Sequence, residues 1–361
     1  MKITDEQMIY IHIPFCDKKC YYCNFVSYAN FSLVEEYFEA LEKEIVKRKT
    51  YKPISSVFIG GGTPSSVDAK QIARIMQVVK QNYTLTQDCE ITIELNPRST
   101  TKEKLETYFY CGINRVSFGV QTLNEQQLEV LGREQTQKQV FEAIENAKAV
   151  GFKRISADLM LGLENQTKEE VVFNAKTLLN LGIEHISAYM LILEEHTKLW
   201  QLVNQGKVVL PSDDQTVEIY DALYEFLKSK GFERYEISNF ALPGALSRHN
   251  LGYWQMKEYL GFGVAAHSFI DGKRLENSKN IKFYIEGKDI KEEIITKAQE
   301  NEERIMLGLR TAFGVGEEYI ENKEALQEML KEKFVKNQDG NIIIEEDKFG
   351  VTNAIILQLI S

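Results

Sequence analysis

Short β-branched runs alternate with longer amphipathic segments through the first half of the chain. This alternation constrains the fold more than any single motif. The runs at 9–13, 57–59, 90–95, 115–120, 154–159 and 185–191 read as strands. The patterns at 33–48, 68–81, 102–111, 138–150 and 168–181 read as helices between them. One strand follows another after about 30–50 residues, the spacing of βα units. Gly112, Gly151 and Gly182 stand where a helix gives way to a strand, the usual place for a C-terminal cap. Consecutive units of this kind predict an α/β fold, a partial or full TIM-like (β/α) barrel.

The polar residues fall at one end of these units. Cys16 follows the first strand, and Gly60-Gly61-Gly62-Thr63-Pro64 follows the second. Glu94 and Asn96 end the third, Gln121 follows the fourth, and Asp158 lies near the end of the fifth. In a parallel barrel these positions converge on the C-terminal rim, where such folds place their active sites. An Asp inside an apolar strand, as at Asp158, needs a partner or a ligand.

Beyond residue 193 the alternation weakens. A helix is expected at 213–230, a strand at 234–239 and a hairpin near 337–344. The division that follows is a barrel over 1–240, a motif-bearing segment and linker over 241–296, and a smaller C-terminal domain over 297–361, mainly helical. The mixed-charge stretch 286–304 reads as a solvated helix face or a connection.

Bulk properties exclude several classes. A chain of 361 residues with 43% hydrophobic and 27% charged content is that of a globular protein. There is no run of eighteen apolar residues, so no transmembrane segment is expected. The leading MKITDEQ lacks the apolar core of a signal peptide. The formal net charge of −10 gives no general attraction to nucleic acid. Five cysteines, three of them clustered, suit a reducing compartment, and the expected location is cytoplasmic.

That cluster is Cys16, Cys20 and Cys23, a C-x3-C-x2-C array directly after the first strand. Three thiolates on one short loop can hold three corners of an iron–sulfur cube, leaving one iron open to a small molecule. The alternative is structural zinc, with His12 as a fourth ligand. Zinc sites usually bring a second ligand arm from elsewhere, and none follows here. Cys89 and Cys111 are isolated and read as small apolar residues. Gly261 to Ala266 mimics a dinucleotide fingerprint, but it has no βαβ context and no placed acidic residue, so it does not read as a cofactor loop.

The array, with Tyr22 before its last cysteine, resembles that of the radical S-adenosylmethionine (SAM) superfamily. The resemblance implies a 4Fe–4S cluster that binds SAM and can reductively cleave it to a 5'-deoxyadenosyl radical. The segments YIHIPFC, FIGGGTPS, IELNP, RVSFGVQ, LGRE, DLMLGL, HNLGYW and YLGFGVAAHS are similar, in order, to the oxygen-independent coproporphyrinogen III oxidase-like group. That similarity implies that Tyr10, Tyr22, Gly61, Gly62, Thr63, Glu94, Gln121, Arg133 and Asp158 bind SAM. Glu94 and Asp158 suit an ammonium or ribose hydroxyls, and Arg133 suits a carboxylate.

The group has two branches. The dehydrogenase branch carries a fourth cysteine two residues after the third, where this chain has Phe25, and an N-terminal extension, where only 15 residues precede Cys16. Residues 249–254, His-Asn-Leu-Gly-Tyr-Trp, match the HNxxYW motif of the HemW heme-chaperone branch. The resemblance to that branch implies heme binding at the surface around His249, by His249, Tyr253 and Trp254, with His267 the next candidate ligand, and heme transfer to acceptor hemoproteins, membrane respiratory enzymes among them. It leaves open a monomer or a cluster-dependent homodimer, and whether SAM is cleaved productively. Coproporphyrinogen III dehydrogenase activity is not expected. The alternatives are that dehydrogenase and a structural zinc protein.

Overall fold

A computed structural model describes residues 6–360. Residues 1–5 and 361, at the outer ends of the first and last expected domains, lie outside the described residues, as does most of the MKITDEQ leader. Six parallel strands stand side by side in chain order. They are β1 (Gln7–Ile13), β2 (Ile54–Gly61), β3 (Leu85–Leu95), β4 (Arg115–Gln121), β5 (Arg154–Leu161) and β6 (His185–Met190). Between them run α1 (Val34–Lys47), α2 (Ala69–Asn82), α3 (Lys102–Tyr110), the short α4 (Glu125–Val130), α5 (Gln137–Val150) and α6 (Lys168–Asn180). Each crossover lets the next strand pair in parallel.

The strands have two unlike faces. Ile9, Ile11, Ile13, Val57, Ile59, Ile91, Ile93, Val116 and Phe118 turn one way and join the core beneath the helices. The alternate positions, Tyr10, His12, Ser56, Phe58, Glu94, Arg115, Ser117, Ser156 and Asp158, line the other, concave face. This period of two follows from strand geometry. It explains why β2 is longer than the 57–59 run and β3 longer than 90–95. Polar inward positions such as Ser56 hide strand character from a reading based on apolar runs.

After β6 come α7 (Lys198–Asn204) and α8 (Asp213–Ser229), then β7 (Glu233–Arg234) and β8 (Asn239–Ala241). The single strand expected at 234–239 is therefore a bend between two short strands. Glu236 causes it, its carboxylate accepting from the backbone N–H of Ser238 at 2.9 Å and from the Asn239 amide. β8 runs antiparallel to β6.

The stretch expected as a segment and linker is ordered into elements. It holds α9 (Arg248–Trp254), β9 (Tyr259–Phe262), β10 (His267–Ile270), β11 (Lys273–Glu276), α10 (Ile281–Ile285) and β12 (Lys291–Ile294). β9 pairs in parallel with β1, and β10 to β12 continue the same sheet. Leu260, Phe262, Ile281 and Tyr284 belong to the barrel core. The reading as a linker failed at β12 because its exposed Lys-Glu-Glu run carries no apolar signal. The sheet ends at β12 and β7, so the barrel is a partial one. The glycines at 261 and 263 are structural. A Cβ on Gly261 would collide with the His267 backbone, and Gly263 has φ +101° beside the His12 carbonyl.

The C-terminal unit has its own core, with Ile305, Leu309, Ile320, Leu326 and Ile342 buried together. It packs α11 (Lys297–Gly308), α12 (Lys323–Lys331) and α13 (Thr352–Ile360) with a small sheet of β13 (Val315–Gly316), β15 (Asn341–Ile344) and β14 (Val335–Gln338). No helix among the described residues is long and apolar enough to cross a membrane.

Candidate functional site

The cysteine loop leaves β1 at the C-terminal rim and is tied down on both sides. Cys16 N–H donates to the Tyr28 carbonyl at 3.1 Å, and Gly62 N–H donates to the Ile13 carbonyl at 2.8 Å. Gly62 must be glycine, since a Cβ there would stand 2.9 Å from the Phe15 carbonyl oxygen. The glycine turn after β2 thus presses directly on the start of the loop. All three cysteines are free thiols. Cys16 Sγ and Thr63 Oγ1 are hydrogen-bonded at 3.3 Å. Burial pushes the Cys16 thiol up to about 11, and burial also raises that of Cys23.

Arg133 joins the loop to the barrel. Its guanidinium donates to Cys20 Sγ at 3.6 Å, to Tyr22 Oη at 3.2 Å and to the Gly119 carbonyl at 2.8 Å. Gln135 holds the guanidinium from behind through Oε1, at 2.9 Å, and donates to the Val120 carbonyl at 2.6 Å. Gln121 has φ +67° at a bulge between β4 and β5, which turns the chain at the rim.

Glu94 and Asp158 lie on the concave face below this loop. Burial, and then the charge of Asp158, raises the Glu94 carboxyl to about 7. Burial raises Asp158 to about 6, against hydrogen bonds from Ser187 and Ser117. Glu94 accepts from Gly61 N–H at 3.2 Å, and Asp158 accepts from Ser117 Oγ at 3.2 Å. Neither carboxylate forms an ion pair among the described residues. Two carboxyls crowded in a low-dielectric interior favour a cationic guest, which would relieve both desolvation and mutual repulsion.

His12 is committed elsewhere. Its Nε2 lies 3.1 Å from the Val26 carbonyl, which only accepts, so Nε2 carries the proton. Nδ1 then accepts from Tyr10 Oη at 3.0 Å. Neither nitrogen is free to be a fourth zinc ligand. Among the described residues no three His, Cys, Asp or Glu side chains converge as a single metal ion requires. Three free thiols on one loop, with a guanidinium beside one of them, fit three ligands of a 4Fe–4S cluster. The paired carboxylates fit the cationic end of SAM.

The structure thus gathers Tyr10, Tyr22, Gly61, Gly62, Thr63, Glu94, Gln121, Arg133 and Asp158 at the cysteine end of the barrel. His12, which the sequence offers only as a zinc ligand, belongs there too, as do Ser117, Gln135 and Ser187, which the sequence pattern does not single out. Ser117 was findable, since it sits between Arg115 and Gly119 at the inward period of two. Gln135 gave no signal.

His249, Tyr253 and Trp254 lie at the opposite end. Helix α9 closes the N-terminal floor of the barrel, its first turn held by Glu90. The Glu90 carboxylate accepts from His249 N–H at 3.0 Å and from Arg248 N–H at 3.2 Å. His249 is 0% exposed. Its Nδ1 bonds Ser56 Oγ at 2.8 Å and its Nε2 bonds Tyr253 Oη at 3.1 Å. Its ring stacks on Phe58 at 5.0 Å, and Phe58 stacks in turn near Tyr10 at 6.3 Å. Burial lowers its pKa to about 3. In this closed arrangement neither ring nitrogen is open to an iron, and the expected surface around His249 is an interior. The cause is the inward polar face of β2, which offers Ser56 as a partner. Tyr253 and Trp254 are half-buried, and His267 is exposed on β10.

Comparison with known proteins bears on these features together. The radical SAM superfamily profile matches residues 10–178. The chain is 39% identical over 327 residues to the heme chaperone HemW of Bacillus subtilis, covering 87% of this chain and 86% of that one. It is 34% identical over 361 residues to the heme chaperone HemW of Lactococcus lactis, covering 96% and 95%. The solved structure of coproporphyrinogen III oxidase (HemN) from Escherichia coli, described as a radical SAM enzyme, superposes with a TM-score of 0.84 at 25% identity, covering 99% of this chain and 91% of that one.

Proposed function

Because the chain belongs to the HemW family of radical SAM proteins, we propose that it is a heme chaperone, binding heme, one 4Fe–4S cluster and SAM and passing heme to acceptor hemoproteins. The observation that carries this reading is the similarity to named heme chaperones along nearly the whole of both chains, at 34–39% identity. The cysteine loop agrees with it, since Phe25, 69% exposed, stands where the dehydrogenase pattern has a fourth cysteine.

Cys16, Cys20 and Cys23 would hold the cluster. When bound, the cluster supplies an open iron for SAM and one electron for its sulfonium. The chain's own residues prepare the place. Arg133 brings positive charge beside Cys20 and is positioned for a carboxylate, as charge-assisted pairing favours. Glu94 and Asp158 attract the ammonium and the ribose hydroxyls, and Gly61 and Thr63 bring the backbone close. Tyr10 donates to His12 and so fixes one wall.

The test is anaerobic purification and reconstitution of the chain, hemin titration, and transfer of heme to an apo-hemoprotein. Transfer faster than from free hemin supports the reading; no hemin binding overturns it. A second reading is the dehydrogenase, favoured by the fold match along 99% of the chain. Conversion of coproporphyrinogen III by the reduced protein with SAM would decide for it.

A further inference from the structure

Outside the floor closed by α9 lies an open groove of about 780 Å³. That volume falls within the range of small-molecule sites. It runs between the end of α3, the start of β5 and the loop that leads into α9. Its walls combine two chemistries. Phe109, 38% exposed, meets Phe152 edge-on at 5.3 Å, and Leu246 faces them as part of the same lining. Lys153 and Arg154 stand exposed at the mouth.

The acids in the groove are already neutralised. Asp88 is bridged by Arg248 at 2.6 Å, and Glu90 is held by the N-terminus of α9 and lies 3.8 Å from Arg115. Arg115 itself is directed to the Ala245 carbonyl at 2.9 Å and to Ser156 at 2.8 Å. Among the described residues Arg154 shares only an exposed pair with Glu184 at 3.0 Å, an interaction that an incoming anion can replace at little cost. The surplus at the mouth is positive and the body is apolar and aromatic. A flat apolar molecule with carboxylates at one edge matches both.

We propose that this groove seats the tetrapyrrole, gripping its ring on Phe109 and Leu246 and its propionates on Lys153 and Arg154. The proposal rests on the heme-chaperone reading and gives it a site. His249 then serves the seat from behind. By locking α9 to β2, it fixes the helix start that carries Arg248 and the loop before it that carries Leu246. Binding by ring and carboxylate needs no iron–imidazole bond, which accords with the closed state of His249.

The test is titration of the full chain with hemin, with metal-free protoporphyrin IX, and with its dimethyl ester. Protoporphyrin IX should compete with hemin, and the ester should bind about tenfold more weakly, because a single charge-assisted hydrogen bond to a carboxylate is of that size. Lys153→Glu with Arg154→Glu should weaken hemin binding at least tenfold, and Phe109→Ala should weaken it several-fold. Cluster absorbance should not change, and each variant should still unfold cooperatively, Phe109→Ala at a lower temperature because it loses its packing on Phe152. Wild-type hemin affinity in these variants, or an ester that binds as well as the free acid, would overturn the seat while leaving the chaperone reading intact. Failure of the wild-type chain to bind hemin would overturn both. If a variant fails to fold, the ester comparison still decides.

Discussion

Ser56 Oγ stands 2.8 Å from His249 Nδ1, and 193 positions of chain separate the two residues. The bond fastens the floor helix α9 to the inward face of β2. It makes the histidine of the HNxxYW motif a closing element of the barrel, stacked on Phe58 and bonded on both ring nitrogens.

The first prediction concerns stability. His249→Ala removes a fully buried ring and two hydrogen bonds. It should cost about 2–4 kcal/mol, the range for large-to-small changes in a core. Denaturant unfolding of the variant beside wild type measures it. A loss below about 0.5 kcal/mol would mean that α9 does not depend on this residue. The pH dependence has a definite sign. With a folded pKa of about 3 against an ordinary 6.5, the unfolded state takes up the proton first as pH falls. The contribution of His249 is full above pH 6.5 and is lost progressively below it, by at most about 1.4 kcal/mol per pH unit. Other buried groups titrate as well: the histidine His185 in the same direction, and Glu236, raised to about 7, in the opposite one. The difference between wild type and His249→Gln isolates the residue. Parallel stability curves between pH 6.5 and 5 would contradict the buried neutral ring.

The second prediction concerns the carboxylate pair. A carboxyl raised to about 7 in the fold holds its proton longer than in the unfolded chain. Without a ligand, stability therefore falls as pH rises from about 4.5 to 7 and is level above that. Glu94→Gln should remove this loss and stabilise the ligand-free chain at pH 8 by about 1–3 kcal/mol. The same substitution should weaken SAM binding at least tenfold, because the cationic end of SAM loses its partner. Calorimetric titration with SAM from pH 6 to 8 should show wild-type affinity rising with pH and the variant's staying flat. A variant that binds SAM like wild type would remove Glu94 from the site.

The third prediction concerns the cluster loop. Replacing Cys16, Cys20 and Cys23 together by Ala should abolish bound iron and the brown chromophore, with the barrel core intact. Cys89→Ala and Cys111→Ala should leave iron content unchanged, since those residues lie within β3 and at the C-terminal cap of α3. Gly62→Ala is the sharper test of geometry. Its Cβ would press on the backbone of Phe15 and Pro14 and displace the loop. Iron retention should drop although no ligand has changed. Full iron content in the triple variant would sink the assignment.

The fourth prediction is that the reduced, SAM-supplied chain does not convert coproporphyrinogen III at a useful rate. A site able to bind SAM is not enough, because the position of the substrate decides which hydrogen is removed. Product separation after anaerobic incubation, run beside complementation of a strain lacking the dehydrogenase, checks it. Protoporphyrinogen formation or rescue would favour the enzyme reading.

Much was legible from the sequence because local rules carried it. The six strands and five of the helices between them follow from apolar period and glycine stops; the helix bounds shift by a residue or so, while β2 starts three residues and β3 five residues before the apolar run that marks it. The cysteine loop and the glycine turn are contiguous motifs, and their place after β1 and β2 follows from strand order. The resemblance to known segments extended this to Arg133, Glu94 and Asp158. The sequence could not say that Arg133 touches Cys20, that His12 is spent on Tyr10 and Val26, or that Gln135 holds the guanidinium. It could not say that 241–294 completes the sheet, nor that His249 faces inward. These are interactions between residues far apart in the chain, decided by parallel register and by which face each alternate side chain takes. Local pattern sets the period of a strand. Only closure of the sheet decides what the inward positions meet, and there Ser56, supplied by β2, turned a motif expected at the surface into the floor of the barrel.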